Sequence, residues 1–210
     1  SLFAKLDTGL FIHFGAISLI SVIVVLIARY YLIHDKPASK AQEGPAFRLP
    51  NAAMVSIGII AFCSMLGEGA MADWSTNYME NIAHADRAIA PLGLSAFAMA
   101  MTIGRLFGDG ARVRYGDKSL MVVCGLVASV GLTLAILFTN PFAVIGGLFV
   151  VGIGLSAIVP IAYSIAGHTR NLPPGVGLAM VTTVGYSGFL FGPPIIGLLA
   201  DLFTLRYALL

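Results

Sequence analysis

Residues 54–75 read MVSIGIIAFCSMLGEGAMADWS. The first part, MVSIGIIAFCSML, is apolar enough to sit in hydrocarbon, and the same run continues through Glu68, with Asp73 five residues later. An acid inside such a run is costly unless it is paired or used, and intramembrane acids mark substrate or proton paths. The stretch therefore raises two points together. It predicts a helix that crosses a membrane, and it makes Glu68 the residue whose purpose must be explained. At roughly 100° per residue, Ser64, Glu68, Met71, Ser75 and Tyr78 fall on one stripe about 80° wide. That stripe carries a carboxylate, two hydroxyls and a phenol, and reads as the wall of a polar cavity in which Glu68 can carry a proton. Asp73 lies about 140° away on the wheel, so the two acids are not a catalytic pair. Trp74 reads as an interface anchor.

The rest of the chain agrees with a membrane setting. Of its 210 residues, 58% are hydrophobic and only 10% charged, against about 25% charged in soluble domains. Mean hydropathy is +0.92. The net charge of +2 is spread without a basic tract, which excludes a nucleic-acid partner. Cys63 and Cys124 sit inside apolar runs and offer neither a disulfide framework nor metal-ligand spacing. No phosphate-binding loop appears, and the glycine-rich run GGLFVVGIG is a packing surface within a helix rather than a dinucleotide loop. No cofactor or metal is expected. The chain begins at Ser1 and carries no signal peptide with a cleavage site, so an earlier portion is expected to precede it.

Six apolar segments emerge at Leu10–Ile33, Ala52–Asn77, Pro91–Gly108, Ser119–Phe138, Pro141–Ala166 and Val176–Ala200. Each is near the roughly 20 residues that span a bilayer as helix, and too continuously apolar for barrel strands. Arg29, Lys36, Lys40, Arg48, Arg105, Arg112, Arg114, Lys118 and Arg170 fall on one side, and Lys5, Arg87 and Arg206 on the other. The richer side should be cytoplasmic. The longest connection, residues 34–51 (HDKPASKAQEGPAFRLPN), is polar and proline-bearing and reads as a cytoplasmic linker. Small residues at helical spacing, Gly104/Gly108, Gly152/Ser156 and Gly188/Gly192, predict close helix packing.

Two further stretches carry chemistry. Residues 104–121, GRLFGDGARVRYGDKSLM, cross one face of the membrane between the third and fourth segments. Gly104 and Gly108 allow close approach, while Asp109, Arg112 and Arg114 supply a charged inter-helix latch at a helix end. Residues 185–201, GYSGFLFGPPIIGLLAD, place Pro193 and Pro194 in mid-segment, where they should kink or unwind the helix. Pro160 in GIGLSAIVPIAYSIAG, residues 152–167, is a matching breaker beside Tyr163 and Ser164. Broken helices at that depth often line substrate sites.

Taken together these stretches resemble the major facilitator superfamily of secondary transporters. GRLFGD with the later R-Y-G resembles its loop signature, although Gly110 and Asp117 stand where that signature usually has basic residues. GEGAMADWS, GIGLSAIVP and GYSGFLFGPPIIGLLAD resemble the branch near the fucose–proton symporters, with many bacterial inner-membrane proteins. The superfamily's longest cytoplasmic loop lies between helices six and seven. The resemblance therefore implies that residues 1–33 correspond to helix six, 34–51 to that linker, and 52–210 to helices seven to eleven and the start of twelve. The expected fold is all-α: a polytopic bundle of six transmembrane helices, part of a major facilitator fold.

The implied function is secondary active transport of a small sugar-like or metabolite solute by alternating access, proton coupling included. Glu68 is the leading substrate or proton residue, with Ser75, Tyr78, Tyr163 and Tyr186 as secondary contacts. Proton-coupling acids of the superfamily often lie in the amino-terminal half, which this chain would need as a partner. The bilayer is the other partner, and a bacterial inner membrane the expected location. Two alternatives come from the residues. Gly185–Tyr186–Ser187–Gly188 spells the GxSG of intramembrane serine proteases, but a nucleophile needs a base in reach, and none of His13, His34, His84 or His168 is expected at the depth of Ser187. A six-helix channel or a non-transporting fragment is the third class.

Overall fold

A computed structural model describes residues 10–31, 52–169 and 174–209. The linker at 34–51 and the cations Lys5, Lys36, Lys40, Arg48 and Arg170 lie outside the described residues. Among the described residues eight helices follow one another: α1 (Leu10–Tyr31), α2 (Ala52–Asn81), α3 (Pro91–Tyr115), α4 (Asp117–Leu137), α5 (Pro141–Leu155), α6 (Ile158–Gly167), α7 (Pro174–Leu202) and α8 (Leu205–Ala208). Six spans among the described residues are long and apolar enough to cross a membrane, α5 and α6 together forming one of them. The chain divides into two compact units, Ser1–Pro45 and Ala46–Leu210. The first contains α1, whose described side chains are almost all exposed and apolar.

In the second unit α2 packs most extensively on α7, and α5 on both α4 and α3. These pairs approach closely because small residues face them. A side chain added at Gly152 would strike the Phe97 carbonyl, and one at Gly188 the Phe62 carbonyl. With no hydrophobic drive between helices in lipid, such backbone proximity is the source of packing energy. The core between them is dominated by Met71, Tyr78, Met79, Phe97, Leu148 and Val151. Leu106, Phe107, Leu126, Leu190 and Leu198 face outward, as a lipid-facing surface requires.

Connections are tight. The chain turns from α3 into α4 at Gly116, whose φ of 76° is the left-handed region that favours glycine. α5 starts on Asn140, whose side chain accepts from the Phe142 N–H at 2.9 Å, followed by Pro141 at the first helical position.

The structure departs from expectation at two places, and it interrupts the fifth segment next to the expected breaker Pro160. The third segment does not end at Gly108; α3 stays helical through its charged end to Tyr115. The fifth segment is not one helix but two. Pro160 has no N–H to give the Ser156 carbonyl and its ring crowds that group. The helix stops at Leu155 and restarts at Ile158, which leaves Pro160 in a first turn where a missing donor is tolerated. The expected unwinding at Pro193 and Pro194 does not occur, since α7 runs through both prolines. The neighbouring α2 braces that stretch. Gly69 lies against the Phe189 carbonyl, one of those the prolines leave without a donor, and the Trp74 indole donates to the Pro193 carbonyl at 3.3 Å. Trp74 is thus an inter-helix pin and half-buried, not a free interface anchor.

Candidate functional site

The site is built where α2 and α3, running antiparallel, reach the same depth. Glu68 lies thirteen residues before Asn81, and Arg105 fourteen residues after Pro91. Both are about 20 Å from the short connection that joins the two helices. There the Arg105 Nη2 and the Glu68 Oε2 stand 3.5 Å apart. The Glu68 side chain is 16% exposed and that of Arg105 49% exposed. The second carboxylate oxygen, Oε1, is buried and meets no hydrogen-bond donor. Arg105 therefore does not belong with the loop cations; it lies within a span as the counter-charge of Glu68. Removing it leaves the sign of the expected loop asymmetry unchanged.

Two phenols share this neighbourhood. The Tyr163 hydroxyl on α6 donates to the Met65 sulfur at 3.6 Å and lies within electrostatic reach of both Glu68 and Tyr186. Tyr186 on α7 is 60% exposed. One turn before Glu68, the Ser64 hydroxyl is buried without a partner. Ser75 and Tyr78 are not brought to this group. Both are buried in the helix core, where the Tyr78 hydroxyl donates to the Ala135 carbonyl of α4 at 3.3 Å. The stripe drawn on the wheel thus divides: its lower part faces Arg105, its upper part faces α4 and α5. Asp73 is exposed, apart from Glu68.

A cavity of about 310 Å³ lies between α2, α4, α5 and α7, lined by Cys63, Leu66, Met71, Leu132, Leu155 and Ile196 among others. Its lining is mainly apolar, with Ser129 the one hydroxyl, and includes none of the predicted site residues. Among the described residues no group of three His, Cys, Asp or Glu could hold a metal ion.

The latch residues fall into separate contacts. A side chain at Gly104 would overlap the Ser156 hydroxyl, and one at Gly108 would sit 3.8 Å from the Ala157 methyl, so both glycines face the α5–α6 break. Arg112 forms a fork with both oxygens of Asp117, at 2.9 Å for the Nη2–Oδ2 arm, and donates to the Ser164 hydroxyl at 2.8 Å. Asp117, in a position where the resembled signature is usually basic, is what closes this triangle of α3, α4 and α6. Asp109 is exposed but within electrostatic reach of Arg112. Arg114 does not join; its guanidinium stands 5.5 Å from the ring of its neighbour Tyr115. Ser187 of the GxSG donates to the Val184 carbonyl of its own helix at 2.6 Å, which gives a nucleophile no support.

Sequence reasoning did not pair Arg105 with Glu68. The usable signal was the equal count of residues from each to the short α2–α3 connection. An arginine placed fourteen residues into a span from its first residue is not at the membrane surface.

The arrangement offers an ion pair held at mid-span, with the cation facing outward from the bundle, the acid turned inward and two phenols close by. It can take up a proton on Glu68, and it can accept a polar solute on Arg105 and the tyrosines. Residues 57–210 match the sequence profile of the Major Facilitator Superfamily. Over 187 residues the chain is 34% identical to an uncharacterized MFS-type transporter of Yersinia pestis, covering 89% of this chain and 48% of that protein. It is 33% identical to the membrane protein MosC of Rhizobium meliloti over 89% of this chain and 46% of that protein. It is 30% identical to an uncharacterized transporter, y4wD, of Sinorhizobium fredii over 95% of this chain and 53% of that protein. The chain spans about half the length of the curated relatives it matches.

Proposed function

Because the chain belongs to the Major Facilitator Superfamily, we propose that it serves a proton-coupled secondary transporter of a small solute, with Glu68 as the proton-carrying acid. The observation that carries this reading is the Glu68 carboxylate held mid-span, largely buried, with Arg105 as its one ion-pair partner among the described residues. A buried acid with one paired and one bare oxygen has a charged and a protonated form of different pairing, as coupling requires.

The wider proposal has the chain as the carboxy-terminal portion of a bacterial inner-membrane transporter, equivalent to helices six to eleven and the start of twelve, with 34–51 as a cytoplasmic linker. An amino-terminal half supplies the other wall of the cavity, and the two halves rock about the midplane site. Support comes from the roughly half-length match to the relatives. The solute is sugar-like or a small metabolite, in line with the resemblance to the fucose–proton symporter branch. Tyr163 and Tyr186 are the best placed of the expected contact residues.

The test is uptake of labelled sugars and small metabolites into proteoliposomes carrying the full-length protein, under an inward proton gradient. Glu68→Gln should lower gradient-driven accumulation at least about tenfold while leaving solute exchange without a gradient intact. Gradient-driven accumulation that survives in Glu68→Gln overturns the assignment. Flux that does not saturate with solute would favour a channel instead.

A further inference from the structure

We propose that Arg105 is the anion-binding residue of this site, and that the solute is a small hydroxy-carboxylate whose carboxylate replaces that of Glu68 on the Arg105 guanidinium. This deepens, and rests on, the proton-coupled transport reading above.

The argument starts from charge. A guanidinium does not lose its proton in proteins, so Arg105 is cationic in every state. At mid-span a cation without a counter-ion is strongly disfavoured. Arg105 must therefore always hold an anion, and in this structure the anion is Glu68. Their contact is weak in form. It uses one nitrogen at 3.5 Å, not the two-armed fork that Arg112 makes with Asp117 in the same chain. A guanidinium has five N–H donors arranged to match a carboxylate, so most of the recognition capacity of Arg105 is unused.

Geometry then decides which partner a solute meets. Arg105 is three times as exposed as Glu68. A molecule arriving from the open side of the bundle reaches the cation first, and Glu68 lies behind it. The phenol of Tyr163 on α6 lies within electrostatic reach of Glu68, and that of Tyr186 on α7 within reach of Tyr163. α5 carries no ionisable residue, and those of α4 at its first turn, Asp117 and Lys118, lie at the helix end where Asp117 pairs with Arg112. On α3, Asp109 stands one turn beyond Arg105 and within reach of Arg112. Arg112, which lines one small cavity with Arg105 and Asp109, is already held in its fork by Asp117, and the phenols suit a hydroxylated body attached to the carboxylate.

The cycle conserves charge at each step. A proton binds Glu68 and cancels its charge. Arg105 then exchanges Glu68 for the solute carboxylate. After reorientation the proton leaves, Glu68 recovers Arg105, and the solute is displaced. One proton and one monoanion move together, so the empty site and the fully loaded site are both neutral, and transport is electroneutral.

Labelled glucuronate and glucose share a ring and differ by a carboxylate, which makes them the first probes; gluconate and glycerate against myo-inositol extend the comparison. The expected result, in proteoliposomes of the full-length protein under an inward proton gradient, is accumulation of the carboxylates at least about tenfold above the neutral sugars. It should be independent of membrane potential. Arg105→Gln should abolish it, and Arg105→Lys should raise KM with little change in maximal rate. A merely structural role for the pair makes a different prediction: the double variant Glu68→Gln/Arg105→Gln would regain thermal stability and uptake together. Under the proposal it regains stability only. Accumulation of neutral sugars to the same level as the carboxylates, unaffected by Arg105→Gln, overturns the anion site and leaves proton-coupled transport standing. If no probe of either kind accumulates, both readings fall.

Discussion

A methyl group at Gly104 would occupy the space of the Ser156 hydroxyl, which itself donates to the Ile153 carbonyl at 2.6 Å. Neither neighbour can retreat, because Ser156 sits at the break between α5 and α6 and is buried. Gly104→Ala should therefore destabilise the bundle by about 1–3 kcal/mol, the usual range for overpacking. Thermal melts in detergent would measure it, and Ser156→Gly in the same chain should restore most of the loss. Tyr78→Phe is a milder case: it frees the Ala135 carbonyl of its phenol and should lower stability by about 1 kcal/mol. At this scale Glu68 was legible because an acid interrupting an apolar run needs a use. Arg105 was not, since positive-inside topology already accounted for a cation near a span end. Ser75 and Tyr78 share a wheel stripe with Glu68, but a wheel fixes direction around one helix and not which neighbour lies opposite.

The two proline sites show how an element depends on what packs beside it. Pro160 breaks its helix, whereas Pro193 and Pro194 leave α7 continuous. From sequence the three look alike. The difference lies in the neighbours: α2 places Gly69 and the Trp74 indole against the carbonyls near Pro193, while Ser156 and Gly104 accommodate an interruption before Pro160. Pro160→Ala would restore a donor to the Ser156 carbonyl and should join α5 to α6. Amide exchange across 156–161 should slow, and gradient-driven uptake should fall if the break is a moving joint. Arg112 belongs to this scale too, since it links α3, α4 and α6. Arg112 and Asp117 are both about one-third exposed, so Arg112→Ala should change stability by less than about 1 kcal/mol. A larger loss of transport than of stability would mark it as part of the conformational cycle.

Over the whole molecule, hydrocarbon thickness and backbone satisfaction leave few choices, which is why six helical spans were readable from length and polarity alone. Close packing was readable as well, because paired glycines at helical spacing have few other uses in a span. Helix ends were less so: the charged residues 109–114 suggest a loop, yet α3 keeps them helical. Expected orientation follows from lysines and arginines, and it has a direct check. With Cys63, Cys124 and any other cysteine of the full-length protein changed to serine, Lys40→Cys should react with a membrane-impermeant maleimide only after the cells are opened. Labelling of intact cells would reverse the topology.

The sequence contains one tryptophan, and its indole N–H is tied to the Pro193 carbonyl while its ring lies against Gly197, 3.2 Å from where a side chain there would begin. That places an intrinsic fluorophore on the seam between α2 and α7, one and a half turns from Glu68. Any sliding of those helices during a transport cycle changes both the hydrogen bond and the polarity around the ring. With any tryptophan outside this sequence replaced, the emission maximum of Trp74 is therefore a label-free optical readout of the seam.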